Sequence, residues 1–342
     1  MSSQAAKAQA PASPERLFQA LTAYQLTECL RGAIELNLFT AIAEGNDVPA
    51  AIASRIGASE RGTRILCDYL TVAGFLEKNS GSYRLVPDSA LFLDHRSPAY
   101  LGTAARFLAT PPLEGYFHDV AALVRKGGTL STKHGTVEPD NPLWIEFARS
   151  MSPLMELPSK MMAEILAPAL PNSACVLDIA AGHGLFGIAI ALKHPTARIT
   201  ALDSAKVLEV ALENAAARGV GGRIEALAGS AFATEFGSGY DLVLLTNFLH
   251  HFDPATCESL LRKVRGSLKP QGRVATLEFV PNPDRVSPPA AAKFSLMMLG
   301  TTDAGDAYTF QELDQMFSNA GFQRSEAHTL GPSPQTLLVS YA

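Results

Sequence analysis

The chain has 342 residues, 47% hydrophobic and 18% charged, with a net charge of −5 and an isoelectric point near 5.9. This size implies about two domains with sizeable cores, and the mixed charge offers no basic surface for nucleic acid. No apolar run of about 18 residues is present to span a membrane, and Cys29, Cys67, Cys175 and Cys257 have no paired spacing. The expected class is a reduced, cytoplasmic globular protein.

Residues 1–12 are polar and small-residue rich, without an apolar stretch, and read as a flexible tail. Ser13 and Pro14 then open one or two amphipathic helices with apolar residues spaced by three and four. The segment from Asp47 follows as a helix, a turn at Gly57, a longer helix, Gly74, and a hairpin, "LEKN-SGS-YRLV". Helix-turn-helix plus a two-stranded wing is a winged helix, over residues 13–97. Between Asp47 and Asp88 five acidic side chains balance five basic ones. The would-be recognition helix is apolar at Ile65, Leu66, Tyr69, Leu70 and Val72. A groove-reading helix needs a basic, polar face, so this surface is better suited to a partner subunit.

From Pro98 to Leu170 the pattern is helical again, broken by "LATPP" and by the polar loop "KGGTLSTKHGTVEPDN". The helix pair "NPLWIEFARSMSPLMELPSKMMAEIL" is rich in methionine, which fills core gaps or adaptable pockets. From about residue 174, short apolar strands alternate with helices: "CVLDIA", "ARITALD", "GRIEALAG", "YDLVLLTN", "GRVATLEFV" and "TLLVSY". "SLKPQGRVATLE" reads as a helix end, a tight Pro-Gly turn and a strand. Alternation predicts a doubly wound sheet with its ligand at the carboxyl ends of the strands. The last two strands have no helix between them, so the sheet is expected to end antiparallel.

"VLDIAAGHGLFG" contains G-x-G-x-x-G at Gly182, Gly184 and Gly187, and Asp203 ends the next strand 19 residues after Gly184. A nicotinamide site would show the same pattern, with the acid on a ribose hydroxyl. Three features favour S-adenosylmethionine (SAM). Asp178 lies inside the strand, where a carboxylate can order the loop and face the cationic methionine end. "AGSAF" follows the third strand, where an adenine edge would be read. "SLKPQGRVATLE" completes the set.

On these motifs the chain resembles the SAM-dependent small-molecule O-methyltransferases, typified by the plant caffeic-acid and acetylserotonin enzymes and by bacterial polyketide and carotenoid relatives. The resemblance spans Ser13 to Ala342. It implies a Rossmann-like SAM-binding fold with a mostly parallel seven-stranded sheet and an antiparallel last strand. An all-helical winged-helix domain would precede it and form a homodimer. "DIAAGHG" is similar to the family's D-x-G-G-G-x-G, with Ala180 and Ala181 at two glycine positions. Asp203, with Ser204 beside it, matches the ribose-binding acid. Ser230, Ala231 and Phe232 match an Asp-Met-Phe stretch, so a serine stands where the adenine-contacting acid would be. Thr246 and Asn247, at the end of the fourth strand, complete the implied cofactor contacts.

The family's base lies in a motif of the type H-D-W after the fourth strand, which here reads His250-His251-Phe252. His250 matches the base and His251 the aspartate. A phenol of pKa about 10 is a poor nucleophile until its proton is removed, and histidine is suited to remove it at neutral pH. Glu278 matches the glutamate that orients the base. The further acidic partner falls at Ala307, beside Asp306. A His-His pair can instead hold a metal, as in relatives that methylate carbon, but the aspartate of that arrangement is missing. Phe147, Met151, Phe294 and Met298 are the candidate acceptor pocket.

The expectation is a methyltransferase acting on a hydroxyl of a small aromatic or polyketide-like molecule, with no metal, in a catalytic region spanning residues 98–342. Carbon, nitrogen or sulfur methylation on the same scaffold, a nicotinamide oxidoreductase, and a winged-helix regulator that only binds SAM are the alternatives.

Overall fold

The structure, a computed structural model, describes residues 12–138 and 141–342. All but the last residue of the expected tail lies outside the described residues. The chain divides into two compact units, Met1–Ala105 and Arg106–Ala342. The break falls later than residue 97 because the following segment is tied back to the first unit. The Leu101 N–H donates to the Phe92 carbonyl at 2.8 Å, and Tyr100 packs edge-on against His95.

In the first unit the N-terminal periodicity resolves into three helices, Glu15–Leu21, Ala23–Glu35 and Leu38–Ala43. The helices Pro49–Ile56 and Glu60–Val72 follow, separated by Gly57 at φ +68°. The Ser59 side chain caps the second by accepting from the Gly62 N–H. Two strands, β1 (Leu76–Asn79) and β2 (Ser82–Leu85), pair antiparallel. Their two-residue turn, Ser80-Gly81, has positive φ at both positions, as a tight hairpin with twisted strands requires. The unit is therefore helical apart from this wing. Its core gathers Leu38, Phe39, Ile52, Cys67, Leu70 and Tyr83. Leu70 thus belongs to the core, whereas Ile65 and Val72 on the same helix are exposed. Helix Glu15–Leu21 buries none of its residues, and its Leu17, Phe18 and Leu21 face outward.

The second unit is built on a seven-stranded sheet. Its strands are β3 (Cys175–Ile179), β4 (Arg198–Asp203), β5 (Ile224–Ala228), β6 (Tyr240–Thr246), β7 (Leu268–Glu278), β8 (Arg324–Thr329) and β9 (Thr336–Tyr341). Their order across the sheet is β5-β4-β3-β6-β7-β9-β8. β9 runs antiparallel to both neighbours, and the other pairings are parallel. The expected tight Pro-Gly turn lies inside β7, where residues 269–272 bulge between the pairs Tyr240–Leu268 and Leu242–Arg273 and a Cβ on Gly272 would stand 3.0 Å from the Lys269 carbonyl oxygen. Residues 268–278 make one strand whose pairing with β6 shifts register between Tyr240 and Leu242. An irregularity accommodates Pro270, which lacks an N–H for the ladder.

Successive residues of the central strands face opposite ways. Val176, Leu242 and Leu244 enter one core, while Leu177, Val243 and Leu245 enter the other. Helices cover both faces, so the polar side chains at the strand ends gather on one rim. Among the described residues, no helix is long and apolar enough to cross a membrane.

Candidate active site

The glycine loop leaves β3 and enters helix Leu185–Lys193. Gly182 and Gly184 have φ of +57° and +74°, where glycine carries no steric cost. A Cβ on Gly184 would stand 2.9 Å from Ala211 Cβ, and one on Gly187 would stand 2.9 Å from Asp178 Oδ2. Gly187 lets the helix sit tightly on the sheet, and Gly184 lets its start approach helix Ala205–Ala217. Ala180, at a position where the resemblance has glycine, also has positive φ, at +55°.

Asp178 is buried in β3. Its Oδ2 accepts from the Gly187 N–H at 3.1 Å, while Oδ1 is sealed from solvent with no partner. Burial pushes its carboxyl up to about 7, with the Gly187 bond opposing and the nearby Asp203 charge adding to the rise. Asp203, at the end of β4, accepts from the Gly182 N–H at 2.9 Å and the Ser204 N–H at 2.7 Å. It therefore latches the glycine loop to the neighbouring strand. Burial raises its pKa, with these two bonds opposing.

After β5, the Gly229 N–H donates to the Asp203 carbonyl at 2.9 Å. Ser230 is exposed, Ala231 is buried, and the Phe232 ring meets Phe252 edge-on at 4.9 Å. A residue that sequence reasoning missed holds this loop. Lys263 Nζ donates to the carbonyls of Ala231, Phe232 and Thr234 at 3.3, 3.1 and 2.7 Å. No motif signals it, because its role comes from the approach of helix Pro254–Ser267. Thr246 is buried at the end of β6. Asn247 follows with φ +54°, and its side-chain oxygen accepts from Gln335.

The chain then forms a short 3-10 turn, Leu249–His251. Asp253 ends this stretch by capping helix Pro254–Ser267, accepting from the Thr256 N–H at 3.0 Å. Glu278, buried at the end of β7, binds the turn from below. Its Oε1 accepts from the Phe248 and Leu249 N–H groups at 3.1 and 2.9 Å. Its Oε2 bonds His250 Nδ1. A carboxylate can only accept, so His250 carries its proton on Nδ1 and presents a bare Nε2. Among the described residues no group bonds Nε2, and it is not sealed from solvent. Asp306 is paired with Arg285 at 2.9 Å and Ala307 is fully buried, so neither supplies the further acid.

The rings around His250 form a run. His183 stacks near Phe147 at 6.2 Å, Phe147 meets Trp144 edge-on at 5.4 Å, and Trp144 meets His251 at 5.3 Å. His251 lies 4.3 Å from His250, which meets Phe294 at 4.8 Å, and Phe294 stacks on Phe279 at 4.1 Å. Phe147 and Phe294 of the candidate pocket thus join this wall. Met151 and Met298 are buried one helical turn beyond them. Trp144 is a second residue missed in the sequence, although the chain has only one tryptophan. Its indole N–H donates to the Thr136 carbonyl at 2.7 Å, which fixes the ring. Burial lowers the His183 pKa to about 4.

Residues 124–323 match the family profile of the O-methyltransferase domain, and residues 8–95 match that of the O-methyltransferase dimerisation domain. The chain belongs to the O-methyltransferase family. It is an enzyme of the class that moves a methyl group from SAM to a hydroxyl. Among its relatives, a 3-hydroxy-5-methyl-1-naphthoate 3-O-methyltransferase of Streptomyces sahachiroi is 30% identical over 90% of this chain and 89% of its own. A Serratia relative named as an S-adenosyl-L-methionine-dependent methyl transferase is 26% identical, over 90% of each chain. Among solved structures, a Nostoc punctiforme protein assigned as an O-methyltransferase is 49% identical with a TM-score of 0.95, covering 97% of this chain and 100% of its own. Human N-acetylserotonin methyltransferase, solved with SAM, shares the fold at 20% identity, a TM-score of 0.83, and 98% and 99% coverage.

Proposed function

We propose that this O-methyltransferase methylates a hydroxyl on a flat aromatic or polyketide-like molecule, with His250 as general base. The observation that carries this reading is the Glu278 bond to His250 Nδ1, which leaves Nε2 free to take a proton. The aromatic wall from His183 to Phe279 supports a planar, apolar acceptor. Turnover of radiolabelled SAM with a panel of phenols and hydroxyquinones tests it. Labelling of none of them, with SAM bound, would exclude the acceptor class.

The side chains present fit SAM. The unpartnered, buried Asp178 oxygen suits a cationic group, the positive-φ glycines allow close backbone approach, and Asp203 suits a ribose diol. Ser204, Ser230, Ala231, Phe232, Thr246 and Asn247 are proposed to complete its contacts. When bound, SAM would supply a methyl carbon on a positively charged sulfur that leaves with the electron pair of the broken bond and needs no metal to activate it. His250 takes the hydroxyl proton of the acceptor on Nε2, so that the acceptor oxygen is free to attack. Glu278 stabilises the imidazolium that results.

Two outcomes follow for the cofactor end. Asp203→Ala is expected to weaken SAM binding more than about tenfold, since charge-assisted hydrogen bonds of this kind contribute about 1.5–3 kcal/mol. Calorimetry giving an unchanged Kd would remove Asp203 from the ribose. For Asp178, a neighbouring cation favours the ionised form of a carboxyl raised to about 7. Binding then releases a proton. Affinity should rise about tenfold per pH unit on approach to neutrality and level off above it. Flat affinity across that range would mean Asp178 does not face the cation.

We further infer a homodimer through the first unit. The dimerisation-domain match and the outward-facing Leu17, Phe18, Leu21 and Tyr24 support it. Protein lacking residues 1–105 is expected to be insoluble, or monomeric and inactive. A soluble, active monomer by light scattering and turnover would contradict this. A cytoplasmic location belongs to the same reading, supported by four free cysteines.

A further inference from the structure

His251 is the polar group of the site that the mechanism leaves unused. Its ring is nine-tenths buried, between Trp144 on one side and His250 on the other. Phe248 and Phe252 also meet it edge-on. Its Nδ1 is sealed from solvent and has no partner. Burial holds its pKa well below the usual histidine range, and protonation of the neighbouring His250 would lower it further, so the ring is neutral. A neutral imidazole carries one proton. Orphaned buried N–H groups are rarer in folded proteins than under-satisfied acceptors, which favours the lone pair rather than the proton at the sealed Nδ1. The proton therefore resides on Nε2. Among the described residues nothing bonds Nε2, and it is not sealed.

The two neighbouring rings thus carry unlike nitrogens. His250 offers a bare Nε2 that accepts, and His251 offers an Nε2–H that donates. The ring centres are 4.3 Å apart, within the span of one small aromatic molecule.

We propose that His251 is a specificity-determining residue, donating to a carbonyl oxygen ortho or peri to the hydroxyl that is methylated. This rests on the O-methyl-transfer reading and narrows its substrate class to hydroxyquinones and hydroxyaryl ketones. A hydroxyl beside a carbonyl is normally tied up in an internal hydrogen bond to it. Donation from His251 competes for the carbonyl lone pairs and frees the hydroxyl proton for His250. It also withdraws electron density from the ring, which favours the oxyanion that attacks. An aspartate at this position, as the resemblance would have it, can only accept when ionised, and would reject a carbonyl there.

The test uses two isomers, 1-hydroxyanthraquinone, with a peri carbonyl, and 2-hydroxyanthraquinone, without one. Each is assayed for kcat/KM with the full-length enzyme and with His251→Phe, which keeps the edge contact with Trp144 but has no N–H. The ratio of kcat/KM for the two isomers cancels differences in folded fraction. It is expected to fall about tenfold in His251→Phe, as loss of one hydrogen bond implies. His251→Gln, which retains an N–H donor, should restore part of it. An unchanged ratio overturns the proposal while leaving O-methyl transfer intact. So does an enzyme that methylates 2-naphthol and neither anthraquinone. Failure to methylate any phenol would instead remove the acceptor reading beneath it, and this proposal with it.

Discussion

His250→Ala is expected to lower kcat by about 10²–10⁴-fold, the usual contribution of a positioned general base, while leaving the SAM dissociation constant unchanged. The reason is geometric. His250 is held by Glu278 at the ends of β6 and β7, and on the proposed reading its free nitrogen serves the acceptor rather than the cofactor. The loss belongs to the chemical step, so single-turnover rates should fall as far as kcat. Calorimetry supplies the control. His251→Ala should cost less, since it removes a recognition contact and leaves the base in place. A His250→Ala enzyme that keeps a tenth of the wild-type single-turnover rate would exclude His250 as the base.

Glu278→Gln is expected to be nearly as damaging, although it changes one atom. Sequence alone makes this substitution mild, the loss of an orienting charge. The structure gives Glu278 two tasks, because one oxygen holds the Phe248 and Leu249 N–H groups and the other holds His250. A glutamine must place its oxygen on the two backbone donors, which leaves its NH₂ facing Nδ1. Nδ1 then has to accept, so the ring proton moves to Nε2 and the base is blocked. The wrong tautomer costs about 10⁴-fold in a serine protease triad, and a loss of about 10²–10⁴-fold is expected here. SAM affinity should be retained, and ring nitrogen chemical shifts should report the exchanged tautomer. Full activity in Glu278→Gln would mean that the charge and acceptor character of Glu278 do not matter.

Much of the glycine-loop geometry was legible in the sequence because its determinants are local. Gly182, Gly184 and Asp203 are read from a strand-loop-helix-strand pattern, since backbone conformation and chain direction bring them together. Asp178 was legible for the same reason, one strand position from the loop it supports. The supports of these loops were not. Lys263 gathers three carbonyls from a loop about thirty residues earlier in the chain. Trp144 reaches His251 from a helix more than a hundred residues before it. Neither carries a spacing that a pattern could detect, because both act through packing.

What the sequence by itself determined was the order of elements, the doubly wound sheet with its antiparallel finish, and the placing of Asp203 and Glu278 at strand ends. Period-two and helical periodicities, glycines and caps encode these within short windows of chain. What only the tertiary structure decided was protonation. His250 and His251 are neighbours of the same type, and nothing in their order makes one an acceptor and the other a donor. The difference arises because Glu278 arrives on an adjacent strand to claim one Nδ1, while burial beside Trp144 leaves the other without a partner. The position of a proton on an imidazole is set by the partner across the sheet, not by the residue next in the chain.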